Sequence, residues 1–248
     1  MRGWALVTGA GRRIGRALAL AAAEAGFDVR IHVRVPGPDA EETCERVRAL
    51  GRRAVIAPAD LADTDLLPAL VAPDGAPVTL LVNSASLFDD DRIASLTPAS
   101  LDAHYQANLR APVLLAQAFA AALPPDRGGH IVNIVDQRVW RLTPQFFSYT
   151  LSKAALWTAT QTLAQALAPR IRVNAIGPGP TLPSIHQSAA DFAAEAGAVP
   201  LQHGASPEEI AAALAYLIDA GSVTGQMIAV DGGQHLAWKT PDIVGEPE

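Results

Sequence analysis

What most constrains this chain is an alternation. Short, mostly apolar runs recur along it, and most are followed by a stretch with apolar residues at helical spacing. The runs are Trp4–Thr8, Asp28–Val33, Ala54–Ala57, Val78–Val82, Ile131–Val135, Ile171–Ile176 and Met227–Val230. Runs of this kind suit strands covered on both faces, and a strand–helix–strand order makes neighbouring strands parallel. The sequence therefore predicts an α/β fold: a doubly wound, seven-stranded parallel sheet of Rossmann type, with helices on both faces. Helices are expected from Arg12 to Gly26 and over Ala40–Leu50, Asp63–Val71, Pro98–Leu123, Phe146–Leu167 and Pro207–Ile218. Leu182–Ala198, rich in alanine, reads as a lid or helix pair, and Lys239–Glu248 as a polar tail. No linker or composition break divides the chain, so one domain over 1–248 is expected.

Composition closes several routes. Half of the 248 residues are hydrophobic and 18% are charged, which allows a large core. The net charge of −6 argues against a nucleic-acid partner. A single cysteine, Cys44 in a polar helical stretch, permits no internal disulfide and no thiolate metal site. That fits a reducing compartment, and a cytoplasmic protein is expected. The six histidines are scattered without ligand spacing, so no metal is expected. No run reaches the ~18 apolar residues of a membrane span, and the start lacks a signal-peptide core.

Two stretches carry chemistry. In the first, Gly9, Ala10 and Gly11 turn a strand into a helix at Arg12, Arg13 and Ile14. Backbone N–H groups and the helix dipole at such a junction can hold a pyrophosphate. The next strand ends in His32, Val33 and Arg34, where a dinucleotide fold meets the adenosine ribose. An acid there would favour a free 2′-hydroxyl; Arg34 instead favours a 2′-phosphate, hence NADPH. Arg34 also reads as a plain solvated cation.

In the second, Ile131–Lys153, an apolar strand precedes Asp136, Tyr149 and Lys153. Tyr149 and Lys153 are four apart and share a helix face. An ammonium beside a phenol lowers its pKa from about 10 toward the working range, which suits a proton donor. The same spacing is common between unrelated surface side chains.

Taken in order, Thr8-Gly9 to Gly15, Asp60-Leu61, Asn83-Ser84-Ala85, Asn108, Tyr149 to Lys153, Pro178-Gly179 and Asp231-Gly232-Gly233 resemble the short-chain dehydrogenase/reductase family over almost the whole length. The resemblance implies NADP(H) binding by Gly9, Arg12, Arg13, Ile14, His32, Arg34, Asp60, Leu61, Asn83, Ser84, Ala85, Tyr149, Lys153, Pro178, Gly179 and Thr181. It implies catalysis by Tyr149 and Lys153, with Asn108 ordering water and the lysine, and a homotetramer.

Two departures narrow it. Arg13 replaces the middle glycine of the turn, and the family's serine, 13 residues before the tyrosine, is Asp136. Both resemble the pteridine reductases and the related dihydromonapterin/dihydrofolate reductases, as does Ser84-Ala85-Ser86-Leu87-Phe88 after Asn83. That branch implies a pterin or folate-like substrate touched by Arg13, Ser86, Phe88, Asp136 and Tyr149, with the Phe88 ring stacked on it. A serine hydroxyl donates to a carbonyl; an ionised Asp136 can only accept, which suits a ring rich in N–H groups. Each residue keeps a plainer role as well. Arg13 can bind phosphate alone, Phe88 can be packing, Ser86 can cap a turn and Thr181 can cap a helix. Asp136 is also compatible with a carbonyl reductase, or with a nucleotide-binding sensor that does not turn over. The four tryptophans show no cage-like clustering and read as packing or interface.

Overall fold

The structure, a computed structural model, describes residues 2–72, 75–183 and 187–238. The expected tail and residues 184–186 of the expected lid lie outside these. Strands β1 (Trp4–Val7), β2 (Asp28–Val33), β3 (Ala54–Pro58), β4 (Val78–Asn83), β5 (Gly129–Ile134), β6 (Ile171–Pro178) and β7 (Met227–Val230) form one sheet in the order β3-β2-β1-β4-β5-β6-β7. Every neighbouring pair is parallel.

Helices α1 (Arg13–Glu24), α2 (Pro38–Ala49) and α8 (Pro207–Asp219) cover one face, where Leu18, Val47 and Leu214 share a core with Val29 and Ile31. Helices α3 (Leu67–Val71), α5 (Ala111–Ala122) and α6 (Phe147–Leu167) cover the other, with Leu67, Leu115, Phe119 and Ala164 on Leu6 and Ile131. Helices α4 (Pro98–Tyr105) and α7 (Ala189–Gly197) complete the set. Cys44 lies on the buried face of the otherwise polar α2.

The order reverses direction between β1 and β4, whose ends are in register at Val7 and Val82. Loops leaving two such strands part to opposite sides and open a crevice beyond their C-terminal ends. The chemistry-bearing residues Gly9, Ser84, Asp136 and Pro178 all follow or end strands at this edge.

Three expected helices differ from expectation. Pro98–Leu123 is not one continuous α-helix: a π turn, Gln106–Arg110, separates α4 from α5 and holds the fully buried Asn108. Such turns inside helices are frequent at functional sites, and here Asn108 bonds the neighbouring loop at Leu87. Asp63–Val71 begins as a 3₁₀ turn, Thr64–Leu66, capped by Asp63. Of the expected lid, one helix, α7, is present among the described residues, capped by Ser188.

Candidate active site

The glycine turn is built by close approach. Thr8 Oγ1 accepts from the N–H groups of Ser84 (2.9 Å) and Ala85 (3.0 Å), locking the loop after β4 to the end of β1. Gly9 follows at φ +66°, and a Cβ there would stand 3.0 Å from Ala85 Cα. A Cβ on Gly15 would lie 2.1 Å from Gly9 O, so the start of α1 sits directly on the turn. The Gly9 N–H donates to His32 Nδ1 at 3.3 Å, while His32 Nε2 lies 3.1 Å from Ala59 O. That pair of contacts fits one neutral tautomer, protonated on Nε2, and burial lowers the His32 pKa. Arg12 caps α1 without a side-chain acceptor, and no acid lies in the first turn. The positive helix end is thus left for an anion.

Around this turn runs a cleft of ≈ 720 Å³ lined by Gly9, Arg12, Arg13, Ile14, His32 and Arg34. Asp60, Leu61, Ser84, Ala85 and Ser86 line its other side. Arg12 and Arg34 also border an adjoining recess of ≈ 360 Å³. Guanidinium groups over an uncapped helix end fit a phosphorylated dinucleotide. Asn83 lies beneath, donating to Asn133 Oδ1 at 2.8 Å, so it braces the sheet. On the far side a Cβ on Gly179 would lie 2.7 Å from Asp231 Cα, which brings the ends of β6 and β7 together. Among the described residues Thr181 caps no helix; its hydroxyl donates to Gly179 O at 3.0 Å. Arg13, expected over the pyrophosphate, has its guanidinium on the carbonyls of Pro183 (2.9 Å) and Leu182 (3.2 Å). It ties the turn to the segment after β6.

The second cluster forms where β5 ends against α6. Asp136 caps a single 3₁₀ turn, with Oδ1 accepting from Arg138 N at 2.8 Å. Its Oδ2 accepts from the Tyr149 hydroxyl at 2.8 Å. Tyr149 and Lys153 are buried and Asp136 is half-buried. Lys153 Nζ donates to Ile134 O at 2.8 Å and lies 5.7 Å from the Tyr149 ring centre. The Asn108 amide donates to Leu87 O (2.9 Å) and Ser152 Oγ (3.0 Å), and its oxygen accepts from Leu87 N (2.8 Å). It fixes the loop that carries Phe88. Ser86 Oγ donates to the same Asn108 oxygen at 3.1 Å.

The electrostatics reverse one expectation. Lys153 was expected to bring the phenol pKa down. Instead burial raises the Tyr149 pKa well above its ordinary value, and the Asp136 charge and hydrogen bond reinforce it. The phenol's nearest ionic neighbour is a carboxylate, and the ammonium is turned toward Ile134. Burial also raises the Asp136 pKa, against the pull of Arg138, Tyr149 and Lys153. Burial lowers Lys153 to about 8, with Asp136 opposing. A carboxyl more easily protonated than an ordinary one therefore faces a phenol that holds its proton.

An aromatic wall flanks the pair. Phe88 stacks on Phe146 with ring centres 4.4 Å apart and an interplanar angle of 9°. The same ring meets Tyr149 edge-on at 4.7 Å. Arg138 lies 4.9 Å over the Phe146 ring, a cation–π distance. Two of the tryptophans pack together: Trp140 lies edge-on to Trp157 (6.4 Å) and to His235 (5.1 Å).

Comparison with known proteins agrees with this geometry. The sequence profile of the family described as Enoyl-(Acyl carrier protein) reductase matches residues 9–235. The chain belongs to the short-chain dehydrogenase/reductase family. Within that family, it is similar to the FolM alternative dihydrofolate reductase 1 of Brucella suis, a structure in complex with NADP. The two share 50% identity over 97% of this chain and 98% of the other, with a TM-score of 0.92. An uncharacterised oxidoreductase of Mycobacterium tuberculosis is 37% identical over 92% of this chain and 90% of its own. A 3-oxoacyl-[acyl-carrier-protein] reductase of Staphylococcus epidermidis is 30% identical over 94% and 98%. This short-chain dehydrogenase/reductase thus falls with the pteridine and dihydromonapterin reductase-like branch. Among the described residues no cluster of three or more His, Cys, Asp or Glu could hold a metal, and no helix is long and apolar enough to cross a membrane.

Three participants escaped the sequence. Phe146 and Arg138 flank the site but carry no motif. Asp91 sits in an acidic run, Asp89–Asp91, that reads as a solvated turn, yet it is 5% exposed. Only its distance from Ser148 in space, not in sequence, discloses it.

Proposed function

We propose that this chain is an NADPH-dependent reductase of a pteridine or dihydrofolate-like ring, acting on a C=N bond. One observation carries it: the Asp136 carboxylate accepts from Tyr149 at 2.8 Å beside the aromatic wall of Phe88. The 50% identity to an alternative dihydrofolate reductase supports it. Arg12 and Arg34 bind the phosphates, with Arg34 reading a 2′-phosphate, at the cleft described above. When bound, NADPH supplies the hydride, and reduction of C=N then needs one proton at nitrogen.

The protein's own residues provide that proton. With Asp136 ionised, the phenol is a poor donor, because it already gives its hydrogen to the carboxylate. Protonation of Asp136 from solvent removes that acceptor. The carboxyl then donates to the phenol oxygen as the phenol donates to the ring nitrogen. One proton enters at Asp136 and one leaves at nitrogen, and the pair returns to its starting state. Burial raises the Asp136 pKa, so the protonated form is more accessible than for an ordinary carboxyl. Lys153, held by Ile134 O, keeps a positive charge near the pair. Phe88 offers an aromatic face to a flat heterocycle.

A second reading, reduction of a ketone or 3-oxoacyl group, rests on the same phenol acting alone as donor. The test is NADPH oxidation, followed by absorbance, with dihydrofolate, dihydrobiopterin and a panel of ketones. Turnover of the dihydropterins is expected. Turnover of ketones alone would replace this reading with the second.

A further inference from the structure

Helix α6 begins without a cap of its own. Its N-cap, Phe146, has no side-chain acceptor and sits at φ +52°, in the left-handed region. The first N–H groups of a helix need partners, and the third helical residue here is Tyr149. The partners come from the loop after β4. Phe147 N donates to Asp91 O at 3.0 Å, and Ser148 N donates to Asp91 Oδ1 at 2.8 Å. Ser148 Oγ donates to Asp91 Oδ2 at 2.5 Å, and Ser100 Oγ, at the start of α4, donates to the same oxygen at 2.7 Å. Phe146 N reaches Asp90 Oδ1 at 3.4 Å.

We infer that Asp91 is a positioning residue for Tyr149, capping the catalytic helix from a distant loop and fixing the phenol against both Asp136 and Phe88. The same loop carries Phe88, whose ring touches Phe146 and Tyr149. One buried carboxylate therefore sets the register between the aromatic wall and the proton donor. A carboxylate is the suitable group, since it accepts three donors beside the positive end of α6. Burial alone would raise its pKa; the hydrogen bonds from Ser148 and Ser100, with the nearby His104, hold it below the ordinary value. It stays ionised and acceptor-only across the working range.

This inference rests on Tyr149 being the proton donor, so Tyr149→Phe is run in parallel. The experiment measures kcat, KM, the pH profile of kcat and the Kd for NADPH in wild type, Asp91→Asn, Asp91→Ala and Ser148→Ala. The substrate is whichever one wild type reduces in the panel above. Asp91→Ala is expected to lose about 100-fold in kcat, the scale of a misplacement near 1 Å, with Kd for NADPH within about twofold. Asp91→Asn cannot accept on its amide nitrogen, so it falls between Ala and wild type. The alkaline limb of kcat, set by Lys153 on the same helix, moves to lower pH in both, because a Lys153 carried away from Asp136 loses the charge that raises its pKa. A purely structural role would lower melting temperature and active fraction without moving that limb. If Asp91→Ala does not fold, Asp91→Asn and Ser148→Ala carry the same comparison. Wild-type kcat and an unmoved pH profile in the Asp91 variants, with Tyr149→Phe inactive, would overturn the inference alone. Full activity of Tyr149→Phe would overturn both it and the reading beneath it.

Discussion

Asp136→Asn separates the two jobs of the carboxylate. Asp136 Oδ1 accepts from Arg138 N and Oδ2 accepts from Tyr149, each at 2.8 Å. An asparagine keeps its oxygen on Arg138 N and presents its NH₂ to the phenol oxygen, which can accept from it, but it has no acidic proton to pass on. What is lost is the proton relay through the carboxyl, and general-acid help of this kind contributes about 10²–10⁴-fold. Turnover of a dihydropterin should therefore fall about 100-fold or more. Stability moves the other way. The folded pKa of Asp136 lies above its unfolded value, so its favourable contribution is present below about pH 4 and is lost as pH rises through the folded pKa. Asparagine escapes that loss. Melting temperature should therefore be higher than wild type at pH 7, and the gain should vanish below about pH 4. Steady-state NADPH oxidation and thermal melts at both pH values read the two effects. Unchanged turnover, or a melting temperature at pH 7 below wild type by several degrees, would refute this account of the carboxylate.

Further outcomes follow from the same contacts. Lys153, lowered by burial to about 8, should give kcat/KM an alkaline limb near that pH; a profile flat to pH 10 would exclude a role for the ammonium. Arg34→Ala should weaken NADPH far more than NADH by equilibrium titration, and equal losses would show that Arg34 does not read the 2′-phosphate. Gly15→Ala places a Cβ 2.1 Å from Gly9 O, so denaturant melts should show a loss of at least about 1–3 kcal/mol; wild-type stability would mean that the turn yields easily.

Much of the fold was legible because its strands are locally encoded. Asp28–Val33 and Met227–Val230 occupy the expected residues, since alternate β-branched residues in the first and a continuous apolar run in the second, each preceded by a glycine turn, leave little freedom of register. The π turn around Asn108 was not legible: it coincides with a side chain committed to Leu87 and Ser152, contacts across a sequence distance that periodicity does not see. The site divides in the same way. Spacing alone put Tyr149 and Lys153 on one helix, but which group each side chain meets depends on how β5 packs against α6. There the ammonium found Ile134 O and the phenol found Asp136. Asp91 was hidden for the converse reason. An acidic run has the composition of a solvated loop, and only the approach of the uncapped α6 makes one member a buried acceptor.

The most direct test is a crystal of the protein with NADP and a dihydropterin, read as the distance from the ring nitrogens to Asp136 and Tyr149. The account predicts the ring on the Phe88 wall, with a nitrogen within about 3.2 Å of the phenol or the carboxylate. A ring bound elsewhere, or Asp136 turned away to solvent in the complex, would contradict it.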